Sequence, residues 1–422
     1  MKNVLSRPLF RNHLLRALTL VLGSLLGGGT LAADHKDGFV VAGRPAADIT
    51  DFFVLPRLDQ QNRKRLTLIL SSYPSATPNE LFDPGLNYSL RFRPVTGFTS
   101  TPFKATVSNE EFRIDCRATG RELQIMNCRF VRLIGKEPPA VLQEVSVNTR
   151  DPSGGGNPDF KVFAGPRADQ LFTDRARVRM PVWRDTDLSS GNDWPGVNTF
   201  KGKNVLTLVV DLSVDKYLKG ANLKKDAKGE TQYFAAVSEL AEIDLSTPGS
   251  GALRRIDRMG RVEITVFMVR DDKVRDLWNA EDTFSLNPNN VEKYREFLRR
   301  GLKRLDGFEM LDEGSTAKTV LDWPVPHPWT ELLMDDFLIV DLAQPTKPSS
   351  TQVGYLGIEI ARFTGAVGGG VGGRLPNEDV IDKTLTVFIN GLARPTPRRG
   401  VGVPAPARLT VDEFPFVPPP FE

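Results

Sequence analysis

The chain reads as a mainly β protein: two related antiparallel units, each a sandwich or open barrel, with one short helical insertion. Three observations predict this. Short strand-like runs follow one another at meander spacing, the 36 glycines and 31 prolines are spread among many turns, and two motifs of the first part echo in the second. A 40% apolar content suffices to fill cores. A propeller-like ring is the alternative architecture, although four regular repeats are not found.

The first element is a leader. Residues 1–32 carry Lys2, Arg7, Arg11 and Arg16 with no acid, then an apolar run from Ala17 to Leu26, then a Gly-rich stretch ending in Thr30-Leu31-Ala32. That is the pattern of a secretory signal peptide, with cleavage expected after Ala32 and Ala33 as the second choice. No Cys follows to take a lipid anchor, and no later run is long and apolar enough to span a membrane. The mature protein is therefore expected to be exported to the periplasm or medium, to lack a transmembrane segment, and to meet an extracytoplasmic ligand or protein. The whole chain carries +3, four of its positive charges belong to the leader, and the mature chain is left near −1. With charges of mixed sign and no Lys/Arg block, nucleic acid is a poor partner.

The mature chain divides into a first β unit at 33–150 and a second at 151–422. In the first, strands are expected at "RLTLIL" (65–70), "NYSLRFR" (87–93), "FKATVS" (103–108), "EFRIDC" (111–116), "LQIMNCRFVRLI" (123–134) and "VLQEVSV" (141–147). Tyr88, Leu90 and Phe92 alternate with Ser89, Arg91 and Arg93, so one face should pack inward and the other stay wet. The two cysteines, Cys116 and Cys128, would form a disulfide in an oxidising compartment; two buried thiols are the alternative, because the obvious turn at Thr119-Gly120 lies off their midpoint, Glu122. The Gly, Pro, Asp and Ser cluster at 148–160 reads as a linker or exposed loop.

Beyond it, "FAGPRADQLFTD" (163–174) echoes "VAGRPAADITDFF" (41–53), each with an Ala-Gly turn and a pair of aspartates, and "KGKNVLTLVV" (201–210) echoes "NRKRLTLIL" (62–70). Both echoes suggest an internal duplication. Further strands are expected at 232–239, 261–269, 336–342, 355–363 and 383–389. One segment breaks the pattern: in 289–307, Val291, Tyr294, Leu298, Leu302 and Leu305 recur at helical spacing between Pro288 and Gly307, which makes an amphipathic helix with a solvated basic face.

The opening "DHKDG" with "AADITDFFVL", then "VFAGPRADQLFTD", "NTFKGKNVLTLVVDL" (198–212), "RMGRVEITVFM" (258–268), "GGRLPNEDVIDKTLTVF" (372–388) and "DEFPFVPPP" (412–420) resemble, in order and over nearly all of the mature chain, the bacterial exported family known as domain of unknown function 4331. The chain departs from the family's usual opening, where Arg and then Glu-Ala-Pro follow the His; here Lys36-Asp37-Gly38 stands. The resemblance implies no established activity or ligand. It singles out Asp48 and Asp51 and, more loosely, His35, Asp169, Asp174, Asp379 and Asp382.

Only His35 and His327 remain after the leader, which excludes a multi-histidine zinc site; the absence of a CxxC pair removes the thiolate alternative. His327, in "WPVPHPW", reads as part of a rigid packed loop rather than a general base. Calcium is the better metal hypothesis: "DITD" (48–51) and "DVID" (379–382) each offer two carboxylates three residues apart, and Asp48, Asp51, Asp379 and Asp382 could converge if the chain ends meet, with His35 nearby in sequence. The commoner role of such aspartates is to cap local backbone N–H groups. Cleavage after Ala32 would also expose an Ala33-Asp34-His35 terminus whose amine, two amides and imidazole suit Cu²⁺ or Ni²⁺. The glycines of "GAVGGGVGGR" (365–374) lack the Lys-Ser or Lys-Thr of a phosphate loop and read as a flexible loop or tight backbone crossing. The expected role is an exported, non-catalytic binding or structural module, possible calcium stabilisation included; a hydrolase of envelope or extracellular polymers, using paired carboxylates and sugar-stacking tryptophans, is the alternative.

Overall fold

The computed structural model describes residues 38–100, 103–179, 188, 195–221, 232–243, 252–306, 327–351, 354–365, 370–391 and 398–422. The leader, its cleavage positions and His35 lie outside them, and with them the Cu²⁺ reading. Two antiparallel hairpins, β1 (Ile49–Leu58) with β2 (Lys64–Ser72) and β9 (Phe160–Ala168) with β10 (Asn204–Ser213), join through β2 and β10. With β8 (Gly155–Asn157) they make a five-stranded sheet in the order β1-β2-β10-β9-β8. Ile69 stands opposite Val209, flanked by Phe53 on β1 and Phe163 on β9. These four side chains form an outer cluster with Leu375, Phe416 and Val417, so the central strands are covered on both faces and read as continuous apolar runs.

The second sheet comprises β3 (Leu86–Ser100), β4 (Phe103–Val107), β5 (Glu110–Thr119), β6 (Ile125–Ile134), β7 (Ala140–Asn148), β11 (Tyr233–Ile243), β12 (Leu253–Met259) and β13 (Leu338–Asp341). Its order is β12-β11-β3-β5-β6-β7, with β4 on β3 and β13 on β11. The architecture is thus the mainly β, sandwich-like one expected, with two antiparallel sheets and no closed barrel among the described residues. Each sheet takes strands from both sides of residue 150. Between them, Phe52, Leu68 and Leu208 share one core with Leu90, Phe92 and Phe130. Each such large apolar side chain contributes roughly 1.5–3 kcal/mol when fully buried.

Cys116 and Cys128 are directly opposed on β5 and β6, with Cα atoms 4.1 Å apart, and form a disulfide. The hairpin turns through residues 120–124, centred on Glu122 rather than on Thr119-Gly120, and that centring brings the sulfurs together.

Several expectations are corrected. Ser89, Arg91 and Arg93 do not face open water. Arg91 donates to Glu111 (2.8 Å), Glu239 (2.7 Å) and Asp282 (3.0 Å), and Arg93 stacks 4.4 Å over Phe284, because the segment at 282–284 crosses that face of the sheet. Three expected strands are helical: 264–268 is a π-helical turn, 355–363 gives α7 (Gly357–Thr364), and 383–389 lies in α8 (Val380–Asn390). A short run that is apolar without strict alternation suits a buried helix as well as a buried strand, and α8 is buried nearly all round. The first echo fails as a structural equivalence: Ala42-Gly43 closes α1 (Phe39–Ala42), whereas Ala164-Gly165 lies within β9. The second echo holds in placement, since its two Leu-Thr-Leu runs are the paired central strands β2 and β10. The remaining helices are α2 (Arg175–Arg179), α3 (Val214–Tyr217), α4 (Asp272–Ala280), α5 (Pro288–Asp306) and α6 (Trp329–Met334). As expected, α5 buries Tyr294, Leu298, Leu302 and Leu305; its stop signal, Gly307, lies outside the described residues.

Candidate functional site

The tandem aspartates separate into two places with different partners. Asp51, buried on β1, accepts from Arg374 Nη2 at 2.5 Å, and the Arg374 guanidinium lies 4.6 Å from the Phe53 ring centre. Asp48 is buried where the chain enters β1, its carbonyl accepting from the Tyr73 amide. Gly372 and Gly373 carry the chain between β13 and β1 in the left-handed region; a Cβ on either would stand 2.2 Å from a carbonyl oxygen, of Ile339 or Val54. This is the tight backbone crossing expected of the glycine-rich run, whose residues 366–369 lie outside the described chain. Asp379 caps α8 by accepting from the Asp382 amide (3.2 Å), and Asp382 accepts from Val401 (2.7 Å) and Gly402 (3.2 Å). Burial pushes both carboxyls above the ordinary range, Asp379 further because Asp382 is beside it. Among the described residues no three His, Cys, Asp or Glu side chains are grouped to hold a metal, so Asp48, Asp51, Asp379 and Asp382 do not make the calcium cluster that converging chain ends would give. The ends do meet, through Asp51 and Arg374 rather than through four acids.

The other singled-out residues also hold backbone. Asp169 accepts from Leu171 N, and Asp174 from Arg177 N and Val197 N. The Nδ1 of His327 accepts from the Trp329 amide at the start of α6, and burial lowers its pKa to about 4, so the imidazole is neutral at physiological pH. Trp278 and Trp329 are core residues; Trp183, Trp194 and Trp323 lie outside the described chain.

A cleft of about 420 Å³ lies elsewhere, between β4, α5 and the end of α6. The alternation of β4 sets Phe103 and Ala105 inward and Lys104 and Thr106 outward. From α5, Arg295 reaches Glu331 on α6 with two hydrogen bonds, 2.5 and 3.1 Å, which fixes one rim. Phe284, Leu286, Val291 and Met334 supply apolar wall.

Asp335 sits at its base. The α6 run "WTELLM" buries Trp329, Leu332, Leu333 and Met334, and the chain then leaves helical geometry at Asp335 to start β13. Two adjacent carboxylates at this turn point apart. Asp336 goes inward, accepting from the Gly260 and Arg261 amides and from Trp278 Nε1. Asp335 faces the cleft and is only 9% exposed. Its Oδ1 lies 3.5 Å from Lys104 Nζ, while its buried Oδ2 has no hydrogen-bond partner among the described residues. Burial drives its pKa up to about 7 against the opposing pull of Lys104 and Arg261. The sequence reading missed this residue. Two neighbouring acids between a helical and a strand-like run were the only signal, since such a pair cannot share one face of a strand.

Searches against protein families, curated proteins and solved structures found no match to this chain.

Proposed function

We propose that the chain is an exported, non-catalytic binding protein, of the bacterial family its sequence blocks resemble, and that the Asp335 cleft takes a small ligand with an apolar body and an ammonium group. The carrying observation is a carboxyl held almost dry at the base of a partly apolar cavity with Oδ2 unsatisfied. An unsatisfied buried acceptor costs about 1–3 kcal/mol, and rotation of the carboxyl about Cβ–Cγ toward a ligand donor in the cleft would recover that cost. The cavity falls in the size range of small-molecule sites, and its few polar groups among apolar walls match their usual composition. The leader-like first 32 residues support export, and the order of the quoted blocks supports the family.

The hydrolase alternative is less well supported. Glycoside hydrolysis needs acids flanking the scissile bond, whereas the cleft acids Glu331 and Asp335 are four residues apart on one helix, in the first turn and at the C-terminal cap of α6, and Glu331 is engaged by Arg295. Calcium stabilisation is less well supported, since Asp51 pairs with Arg374 and Asp379 and Asp382 accept from backbone amides.

Titration calorimetry with phenethylamine at pH 6 and pH 8 tests this reading. The amine stays protonated at both, while Asp335 passes from mostly neutral to mostly ionised, so affinity is expected to rise several-fold with pH. Asp335→Asn should abolish both the binding and its pH dependence. Equal affinity at the two pH values, or retained binding in D335N, rules the site out.

A further inference from the structure

We propose that a second pocket, floored by Arg167, is a binding site for a small carboxylate of the size of propionate or benzoate. Seven arginines are buried among the described residues. Six of them, Arg65, Arg91, Arg177, Arg258, Arg261 and Arg374, face a carboxylate of the protein. Arg167, 7% exposed at the end of β9, has no such partner among the described residues.

Its guanidinium lies 3.8 Å from the Phe163 ring centre, which holds it flat. A guanidinium offers five N–H groups. Here Nη1 donates to the Pro166 carbonyl at 3.0 Å and Nη2 to the Pro152 carbonyl at 3.3 Å, while Nε has no acceptor among the described residues. The two carbonyls orient the group without neutralising it. Desolvation lowers its pKa to about 10, with no neighbouring carboxylate acting against it, and it remains charged at neutral pH. A buried cation without a counter-charge is costly, and a planar donor fork favours a carboxylate.

A cavity of about 250 Å³ opens beside this group. Pro78, Pro152, Pro166 and Pro420 contribute rigid apolar wall, suited to a carboxylate on a short hydrocarbon body. Two acids also line it, but Asp151 already accepts from Ser153 N and Oγ, and Glu80 from Thr77 Oγ1. With Arg150 and Arg167 the lining carries two charges of each sign, and of the four only Arg167 is buried at the floor without a carboxylate partner among the described residues, so an anion is favoured there.

The test is a titration of ¹⁵N-labelled full-length protein with propionate, propionamide and inorganic phosphate, following the Arg167 Nε–H resonance. Propionate is expected to shift it saturably, with propionamide and phosphate at least tenfold weaker. Arg167→Gln, followed through the Gly165 amide, should weaken propionate at least tenfold. Because the amide control uses unaltered protein, the proposal stays testable even if R167Q folds poorly. No saturable shift with propionate, equal binding of acid and amide, preference for phosphate, or undiminished binding by folded R167Q would each overturn it.

Discussion

Asp51 and Arg374 are 323 positions apart and meet as a buried ion pair, each almost fully excluded from water. Attraction inside a protein is strong, but so is the cost of desolvating both charges, and such a pair can contribute little net stability while being expensive to break. Asp51→Asn should therefore cost about 3 kcal/mol in denaturant unfolding, since it removes the carboxylate facing a buried guanidinium. A loss below about 1 kcal/mol would mean that Arg374 is compensated without Asp51. The sequence suggests that these aspartates could converge with Asp379 and Asp382 if the chain ends meet, acid beside acid. Nothing in a linear pattern links Asp51 to Arg374, because the contact depends on Gly372 and Gly373 bringing two backbones together.

At the scale of elements, legibility followed alternation. Runs with a clear two-residue period, such as Tyr88-Leu90-Phe92, are strands, and the helical spacing of Tyr294, Leu298, Leu302 and Leu305 gives α5. Segments buried on every side were misread: "KTLTVFI" is rich in β-branched residues, yet it forms α8 because Asp379 caps the helix start and tertiary burial outweighs a weak local propensity. The Asp335 cleft was illegible for a related reason, since its walls come from β4, α5 and α6, which are joined only in three dimensions. The β5–β6 hairpin carries a prediction of its own. Its disulfide closes a short loop, so the Cys116→Ala/Cys128→Ala double variant should lose about 2–3 kcal/mol on denaturant unfolding, mainly through greater freedom of the unfolded chain. Equal stability of the variant and the oxidised protein would contradict this.

Over the whole molecule, buried acids give stability a definite dependence on pH. Asp335 and Glu378 have folded-state pKa values raised to about 7, both chiefly by burial. The native state therefore binds more protons than the unfolded chain above the ordinary carboxyl range, and their contribution falls as pH rises through about 7. Glu111 and Asp282 act oppositely: each feels the opposing push of burial, but Arg91 and its neighbours hold both below the ordinary range, and their contribution is lost on acidification. A binding site that keeps a carboxyl dry sacrifices stability at neutral pH, and this connects the cleft to the fold as a whole. The most direct measurement is the melting temperature of the wild-type protein and D335N at pH 8, with and without phenethylamine. The account predicts that D335N melts higher without the amine and that the amine raises only the wild-type midpoint. Equal midpoints without amine, or the same rise in both proteins, would contradict it.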